Sequence, residues 1–425
     1  MASALALIAL VALLVVGVPI FVALGVVSLT MLAFEGRPLF DAALVAVGGL
    51  NSSAFVAVLF FVVAAEFMQR GGIARVLIEA AEGWVGSLRG GLALVAVLGT
   101  TFFAAVSGSS VVTAMTMGAL LIPAMVAKGY DRPFALGTLG AAGTLGILIP
   151  PSLAMILYGL VANQSVARLF LAGVVPGLLQ ALLLAVWVVV YARRKGYASG
   201  VRLGRHEFWR RNARAAPAML IPLIIFVGIY GGYTTVAESA ALAAVAALAV
   251  AMFAYRSIAT RNVLELVFSA VKSASAITFI VMFAMLFAHW LTGSGIPQAV
   301  VAFAVDRGLA GWQFLFVLSV IMIALGTVLD AVAVLLIVTP IVLPSLRALG
   351  IDPVHFGVVL VVNMEIAFLT PPIGLNLFVL SNIAKAPLME AIRGVAPFVV
   401  LMFALLLVIM FVPQLSLWLP NAVFG

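Results

Sequence analysis

The sequence predicts an all-α polytopic membrane protein made of two inverted-topology repeats. Three observations carry this reading. The 425-residue chain is 66% hydrophobic and only 8% charged, whereas a soluble domain carries about 25% charged residues. Apolar runs of spanning length recur from end to end. The chain also states one motif twice, Pro123-Ala-Met-Val-Ala-Lys-Gly-Tyr-Asp131 and Pro344-Ser-Leu-Arg-Ala-Leu-Gly-Ile-Asp352. The same offset of 221 residues lays Pro150-Pro151 on Pro371-Pro372 and Pro176 on Pro397. Proline-broken apolar segments at matched positions in two halves point to a secondary transporter whose site lies between the halves.

Composition removes other classes. An outer-membrane barrel needs short alternating segments, which are missing here. There is no cysteine, hence no disulfide, thiol catalysis or Cys-ligated metal. His206, His289 and His355 are scattered without ligand spacing. No Walker loop and no nucleophile–base pair is evident, so neither ATP hydrolysis nor enzymatic chemistry is expected. The net charge of +8 comes from basic residues between spans and is no nucleic-acid footprint.

The elements follow in order. The first repeat, 1–192, begins with spans at 3–16, 19–34 and 51–70. Gly17 and Pro19 favour two helices over one tilted helix across 3–34. The apolar start lacks the basic region of a cleaved signal peptide and reads as a first span. An apolar stretch at 90–127 is interrupted by Ser107-Gly108-Ser109-Ser110 and forms a hairpin, either re-entrant or crossing twice. A broken span, 132–162, holds Pro150-Pro151, and a further span runs 168–192. A basic cytoplasmic linker, 193–216, is expected to lie at the interface as a helix with Phe208 and Trp209 on its apolar side. The second repeat, 217–425, has spans at 217–232, 238–255 and 263–291. A hairpin at 311–346 follows, broken near Gly326-Thr327, then a broken span at 353–383 and a span at 394–415.

Each half then makes five crossings, and an odd number inverts the second copy. With both termini outside, 17 of the 22 Lys and Arg lie on the cytoplasmic side; Arg37, Arg168, Arg307 and Arg347 lie outside, and Lys272 lies within a span near its inner end.

A transporter must hold a polar substrate at membrane depth, where backbone leaves the helix only to line a cavity or to be buried in protein. Four such breaks exist. They are Ser107–Ser110, Gly143–Ser152, Gly326–Asp330 and Asn363–Asn376. Freed carbonyls and Ser/Thr hydroxyls are hard ligands suited to Na⁺, and half-helix N-termini suit a carboxylate. One Gly-Ser-Ser alone would read as close helix packing, but these breaks recur in matched pairs. Thr144, Ser152, Asn363 and Asn376 within them are candidates to meet substrate or the coupling ion. The intramembrane acids are Glu66, Glu238, Asp330 and Glu365. Asp330 and Glu365 lie within the second pair of breaks and are candidate cation or proton ligands. Glu66 and Glu238 lie near span ends, where snorkelling competes with function.

These stretches resemble the large membrane subunit of tripartite ATP-independent periplasmic (TRAP) transporters, within the ion-transporter superfamily. The resemblance covers essentially the whole chain. It rests on Ser107-Gly-Ser-Ser through Pro123, Lys128-Gly-Tyr-Asp131 and Gly143-Thr-Leu-Gly-Ile-Leu-Ile-Pro-Pro-Ser152. Glu66-Phe-Met-Gln-Arg-Gly-Gly-Ile-Ala74, Gly231–Glu238, Asp352-Pro-Val-His-Phe-Gly357 and Thr370-Pro-Pro-Ile-Gly374 support it. One departure is Ala367, where the family often has glycine.

The resemblance implies an elevator-type carrier in the bacterial inner membrane, driven by an inward Na⁺ gradient. It would import an organic acid such as a C4-dicarboxylate or sialic acid. A periplasmic binding protein would deliver that substrate to the outer face, and a small four-helix membrane subunit would complete the scaffold. Carried onto this sequence, a first Na⁺ site uses Ser107, Gly108, Ser109, Ser110, Gly143, Gly146 and Ile149. A second uses Gly326, Thr327, Ala367, Thr370 and Ile373. The alternatives are a carrier of the same superfamily that needs no binding protein, and a non-transporting membrane scaffold subunit.

Overall fold

A computed structural model describes residues 2–200 and 202–425. Its helices, in chain order, begin with α1 (Ala2–Val15), α2 (Ile20–Phe34), α3 (Leu39–Gly48), α4 (Ser53–Arg70) and α5 (Ile73–Val85). The first hairpin is α6 (Gly91–Ser107) and α7 (Ser110–Ala127), followed by the broken pair α8 (Arg132–Leu148) and α9 (Leu153–Ala162). Next come α10 (Val166–Lys195), α11 (Arg205–Tyr230), α12 (Val236–Ala249), α13 (Thr260–Gly293) and α14 (Ile296–Asp306). The second hairpin is α15 (Gly311–Gly326) and α16 (Ala331–Ala348), with the broken pair α17 (Pro353–Ala367) and α18 (Leu375–Ile383). The chain closes with α19 (Leu388–Phe411) and α20 (Gln414–Phe424). Eight helices are long and apolar enough to cross a membrane among the described residues. The α8–α9 pair, bent by 40° at its break, makes a ninth span if counted as one.

Local chemistry sets the helix ends. Ser52, Ser152, Ser165 and Asp352 each accept a hydrogen bond from a backbone N–H of the turn they start. Thr235 and Glu238 form a reciprocal capping box on α12. Gly17, with φ +91°, turns the chain between α1 and α2, so the 3–34 region is two helices.

Two groups of helices emerge from the packing. The hairpins and broken pairs pack on one another, with α8 against α6, α7, α10 and α19, α15 against α17, and α18 against α7. A second layer pairs α2 with α13, α4 with α12 and α13, and α5 with α11. Ion pairs gather at the end that carries the basic segment. Arg132 donates two hydrogen bonds to the Glu390 carboxylate, at 2.7 and 2.6 Å, and so ties the start of α8 to the start of α19. Arg211 joins α11 to Glu82 of α5 at 2.7 Å.

Two expectations need correction. The basic segment 193–216 is not a separate interfacial helix. Helix α10 continues to Lys195, a loop pinned by an antiparallel bridge between Arg89 and Ser199 follows, and α11 starts at Arg205. That helix runs unbroken through Pro217 and Pro222 to Tyr230, so the second-repeat start at 217 falls inside a helix. Proline is tolerated where neighbouring helices support the backbone. Phe208 packs on Trp84, with ring centroids 6.3 Å apart, and edge-on against Trp209, at 5.7 Å, while Trp209 is itself exposed. The other correction concerns number. Helices α3, α5, α14 and α20 have no counterpart among the expected elements. Each is 10–13 residues long, below the length at which hydropathy alone marks a span.

Candidate functional site

The first break pair assembles by backbone approach. Gly108, at φ +66°, ends α6 and lets the tip turn directly into α7. The Gly108 carbonyl accepts a hydrogen bond from Leu153 N at 3.2 Å. The hairpin tip therefore ends beside the interruption between α8 and α9. Ser107 and Thr113 share a short hydroxyl–hydroxyl hydrogen bond. Gly146 of α8 faces this tip: a Cβ there would lie 2.5 Å from the Ser109 carbonyl oxygen and 2.6 Å from Thr113 Oγ1. At Gly143 a Cβ would sit 2.6 Å from that of Ala114. Only glycine lets α7 and α8 close to this distance. Ser107, Gly108, Ser109, Ser110, Gly143 and Gly146 thus come together. Ile149 lies at the end of α8 with its side chain turned onto Gly177 of α10, so only its main chain is left for the site.

The second pair repeats the construction. The Thr327 carbonyl accepts a hydrogen bond from Ile373 N at 3.2 Å. Gly326 lets α15 meet α17, since a Cβ there would lie 2.6 Å from the Ala367 methyl. Thr327 and Thr370 donate their hydroxyls to the carbonyls of Ala324 and Ile366 at 2.8 and 2.7 Å. Each hydroxyl oxygen keeps lone pairs for a cation. Gly326, Thr327, Ala367, Thr370 and Ile373 are grouped at one break. Asn376 Nδ2 donates to Ser110 Oγ at 2.8 Å, which joins the second broken pair to the first hairpin tip. The buried Asn376 Oδ1 has no protein partner, so it is an acceptor available beside Ser110.

Other expected residues serve the frame. Ser152 caps α9 and donates to the Ile147 carbonyl. Asn363 donates to Ser319 Oγ at 3.0 Å and to the Val359 carbonyl at 2.7 Å, which fixes α17 to α15. Asp330 is exposed at the second tip and caps α16 through Val332 N at 3.2 Å. Glu238 is spent in its capping box. Thr144 accepts from Gln180 Nε2 at 3.0 Å. Glu365 is fully buried, and neither carboxyl oxygen has a donor.

Several contacts were not anticipated. Gln180, the one amide of α10, donates to Thr144 and lies beside Glu365. Its signal was a lone amide in an apolar span. Glu66 and Gln69 of α4 and Ser273 of α13 line a cavity of about 250 Å³ that opens onto Ser107, Gly108 and Ser109. Glu66 pairs with Arg70 at 3.2 Å and accepts from Ser269 Oγ at 2.9 Å. It therefore faces the first tip as well as the span end.

Two hairpin tips, each closed against a broken helix and rich in hydroxyl and carbonyl oxygens, are the apparatus of a transporter. Known proteins agree. Residues 7–415 match the family described as "Tripartite ATP-independent periplasmic transporter, DctM component". The chain is 42% identical to the C4-dicarboxylate TRAP transporter large permease protein DctM of Pseudomonas aeruginosa, over 86% of each chain. It is 39% identical to the protein of that name from Vibrio cholerae, over 100% of this chain and 99% of the relative. The sialic acid TRAP transporter large permease protein SiaM of Vibrio cholerae is 32% identical, over 96% and 94%. Among solved structures, the YdaH transporter of Alcanivorax borkumensis superposes with a TM-score of 0.62 at 16% identity, covering 89% of this chain and 88% of that one. That likeness bears on the fold alone. Motifs, architecture and relatives converge: the chain is a multi-pass membrane protein and belongs to the DctM, or large permease, component family of tripartite ATP-independent periplasmic transporters.

Proposed function

We propose that this permease imports an organic acid anion across the bacterial inner membrane, driven by an inward Na⁺ gradient. The observation that carries the reading is the Asn376–Ser110 hydrogen bond, which makes one unit of two oxygen-lined tips. Glycines at 143, 146 and 326 hold backbone oxygens close to those tips, and hard oxygen ligands suit Na⁺. Substrate sits between the tips, where Asn376 Oδ1 is unpaired. The hairpins and broken pairs move as a body against the second layer of helices, because preformed tips favour rigid transfer over local refolding. The two halves act as inverted repeats, with both termini periplasmic. A separate periplasmic binding protein delivers the substrate, and a small four-helix subunit completes the scaffold. Relatives named for C4-dicarboxylates and sialic acid support a carboxylate substrate.

The test is uptake into proteoliposomes holding the permease, the small subunit and the binding protein. Succinate and sialic acid are supplied under an imposed Na⁺ gradient, without ATP. Accumulation of either that collapses when the Na⁺ gradient is removed supports the reading. Uptake that ignores Na⁺ and follows a pH gradient sinks it.

A further inference from the structure

The cavity at the first hairpin tip does not end there. Gln69 also lines a chamber of about 890 Å³, with Arg70, Arg75, Glu79, Thr116 and Arg214 among its walls. The Glu66–Arg70 ion pair sits at the junction of the two spaces. One wall is α7 below the tip, through Thr116, Ala119 and Leu120; the others come from α4, α5, α11 and the segment 254–257 that follows α12. The chamber thus descends along the face of the hairpin, from the Ser107–Ser109 tip toward the end of the molecule that carries the basic segment.

Its charge is lopsided. Three guanidinium groups line it; Arg70 is paired with Glu66, which leaves Arg75 and Arg214 against one carboxylate, that of Glu79. Arg214 lies only loosely against Glu79, at 4.0 Å. Arg75 is exposed and makes no ion pair among the described residues. Arg70 neutralises Glu66, the one acid that an anion leaving the tip would meet first. The cavity beside the second hairpin is the opposite case. Its walls on α1, α14, α15 and α16 are entirely apolar, with Leu10, Phe303 and Ile337 among them. A charged solute has no route there. A cleft of one sign of charge between low-dielectric walls focuses its field and raises the local concentration of counter-ions.

We infer that the arginine-lined chamber is the exit vestibule through which a carboxylate substrate leaves the first hairpin tip for the cytoplasm, with Arg75 and Arg214 supplying the attraction. This deepens the carboxylate reading and rests on it. The ordinary alternative is that these arginines merely mark the cytoplasmic side. Arg261, on that same side at the start of α13, is absent from the chamber walls and so separates the two.

The experiment exploits the absence of native cysteine. Thr116→Cys is placed in the full permease, and inverted membrane vesicles expose its cytoplasmic face. Methanethiosulfonate ethylsulfonate, an anion, and methanethiosulfonate ethyltrimethylammonium, a cation, are reacted in turn. We expect preference for the anion, falling about tenfold when Arg75→Gln and Arg214→Gln are combined, in keeping with electrostatic focusing. Arg261→Gln should leave the ratio unchanged. Arg75→Lys with Arg214→Lys should keep the preference, which guards against misfolding. A thiol that does not react from this face, a reaction without anion preference, or an equal fall with Arg261→Gln overturns the inference. Neither substrate nor Na⁺ enters this measurement. Loss of Na⁺-driven uptake in the wild type would therefore sink the proposed function on its own evidence.

Discussion

At the scale of single residues, the site divides into oxygens that could meet an ion and oxygens already committed. Thr370 and Ser109 lie at the two breaks, whereas Ser53 starts α4 at a span entrance. Thr370→Ala and Ser109→Ala should each raise the Na⁺ concentration for half-maximal uptake, and Ser53→Ala should not. Wild-type Na⁺ curves in both break variants would refute this assignment of ligands. Glu365 poses a different question. Its oxygens lack donors, and Gln180 Oε1 beside it lacks one too. A buried acceptor without a donor loses water uncompensated, at a cost of about 1–3 kcal/mol. An amide at 365 brings its own N–H to Gln180. Glu365→Gln should therefore retain transport and its Na⁺ dependence and raise the melting temperature, whereas Glu365→Leu, which offers Gln180 Oε1 no donor, should lack that gain. Loss of the Na⁺ response in Glu365→Gln would show instead that the carboxylate charge is required. Glu365 was legible in the sequence as a rare intramembrane acid. Its partner was not, because a lone glutamine in an apolar span carries no spacing that names its neighbour.

At the scale of elements, the breaks were legible and the short helices were not. Prolines and Gly-Ser clusters announce an interruption wherever they occur. Helix α5, by contrast, alternates a buried face (Ile73, Leu77, Ala81) with Arg75, Glu79 and Glu82. It is too short and too charged for hydropathy to mark. Close approach between helices was equally silent. A Cβ at Gly394 of α19 would lie 1.8 Å from the Pro133 carbonyl oxygen of α8, and one at Gly137 2.1 Å from the Gly394 carbonyl oxygen. Backbone meets backbone at this crossing, and no flexible side chain can yield. Gly394→Ala should force α8 and α19 apart and destabilise the protein by about 1–3 kcal/mol, seen as a lower melting temperature in detergent. An unchanged melting temperature would mean that the crossing relaxes freely.

At the scale of the whole molecule, orientation decides which crevice faces which compartment. The orientation proposed from the distribution of Lys and Arg puts the loop 196–204 inside and the α13–α14 turn outside. Single cysteines at Ala198 and Gln298, both exposed positions, test this. Gln298 is preferred to Gly295, whose φ of +78° disfavours a side chain. A membrane-impermeant thiol reagent applied to intact cells should label Gln298→Cys and leave Ala198→Cys untouched. The reverse pattern would invert the molecule, and the proposed cytoplasmic exit would then open outward.

The sequence by itself determined the class, the breaks and the family. Hydropathy, proline position and Gly-Ser clusters are local properties of the chain, and they act wherever the chain goes. Tertiary structure decided what the breaks touch. Asn376 and Ser110 are 266 residues apart, Arg132 and Glu390 are 258 apart, and Glu66 meets the Ser107 tip only across a cavity. Such pairings depend on how helices cross. Crossings are set by glycines that admit a neighbouring backbone at 394, 146 and 326, and a glycine in the sequence does not say which backbone it admits.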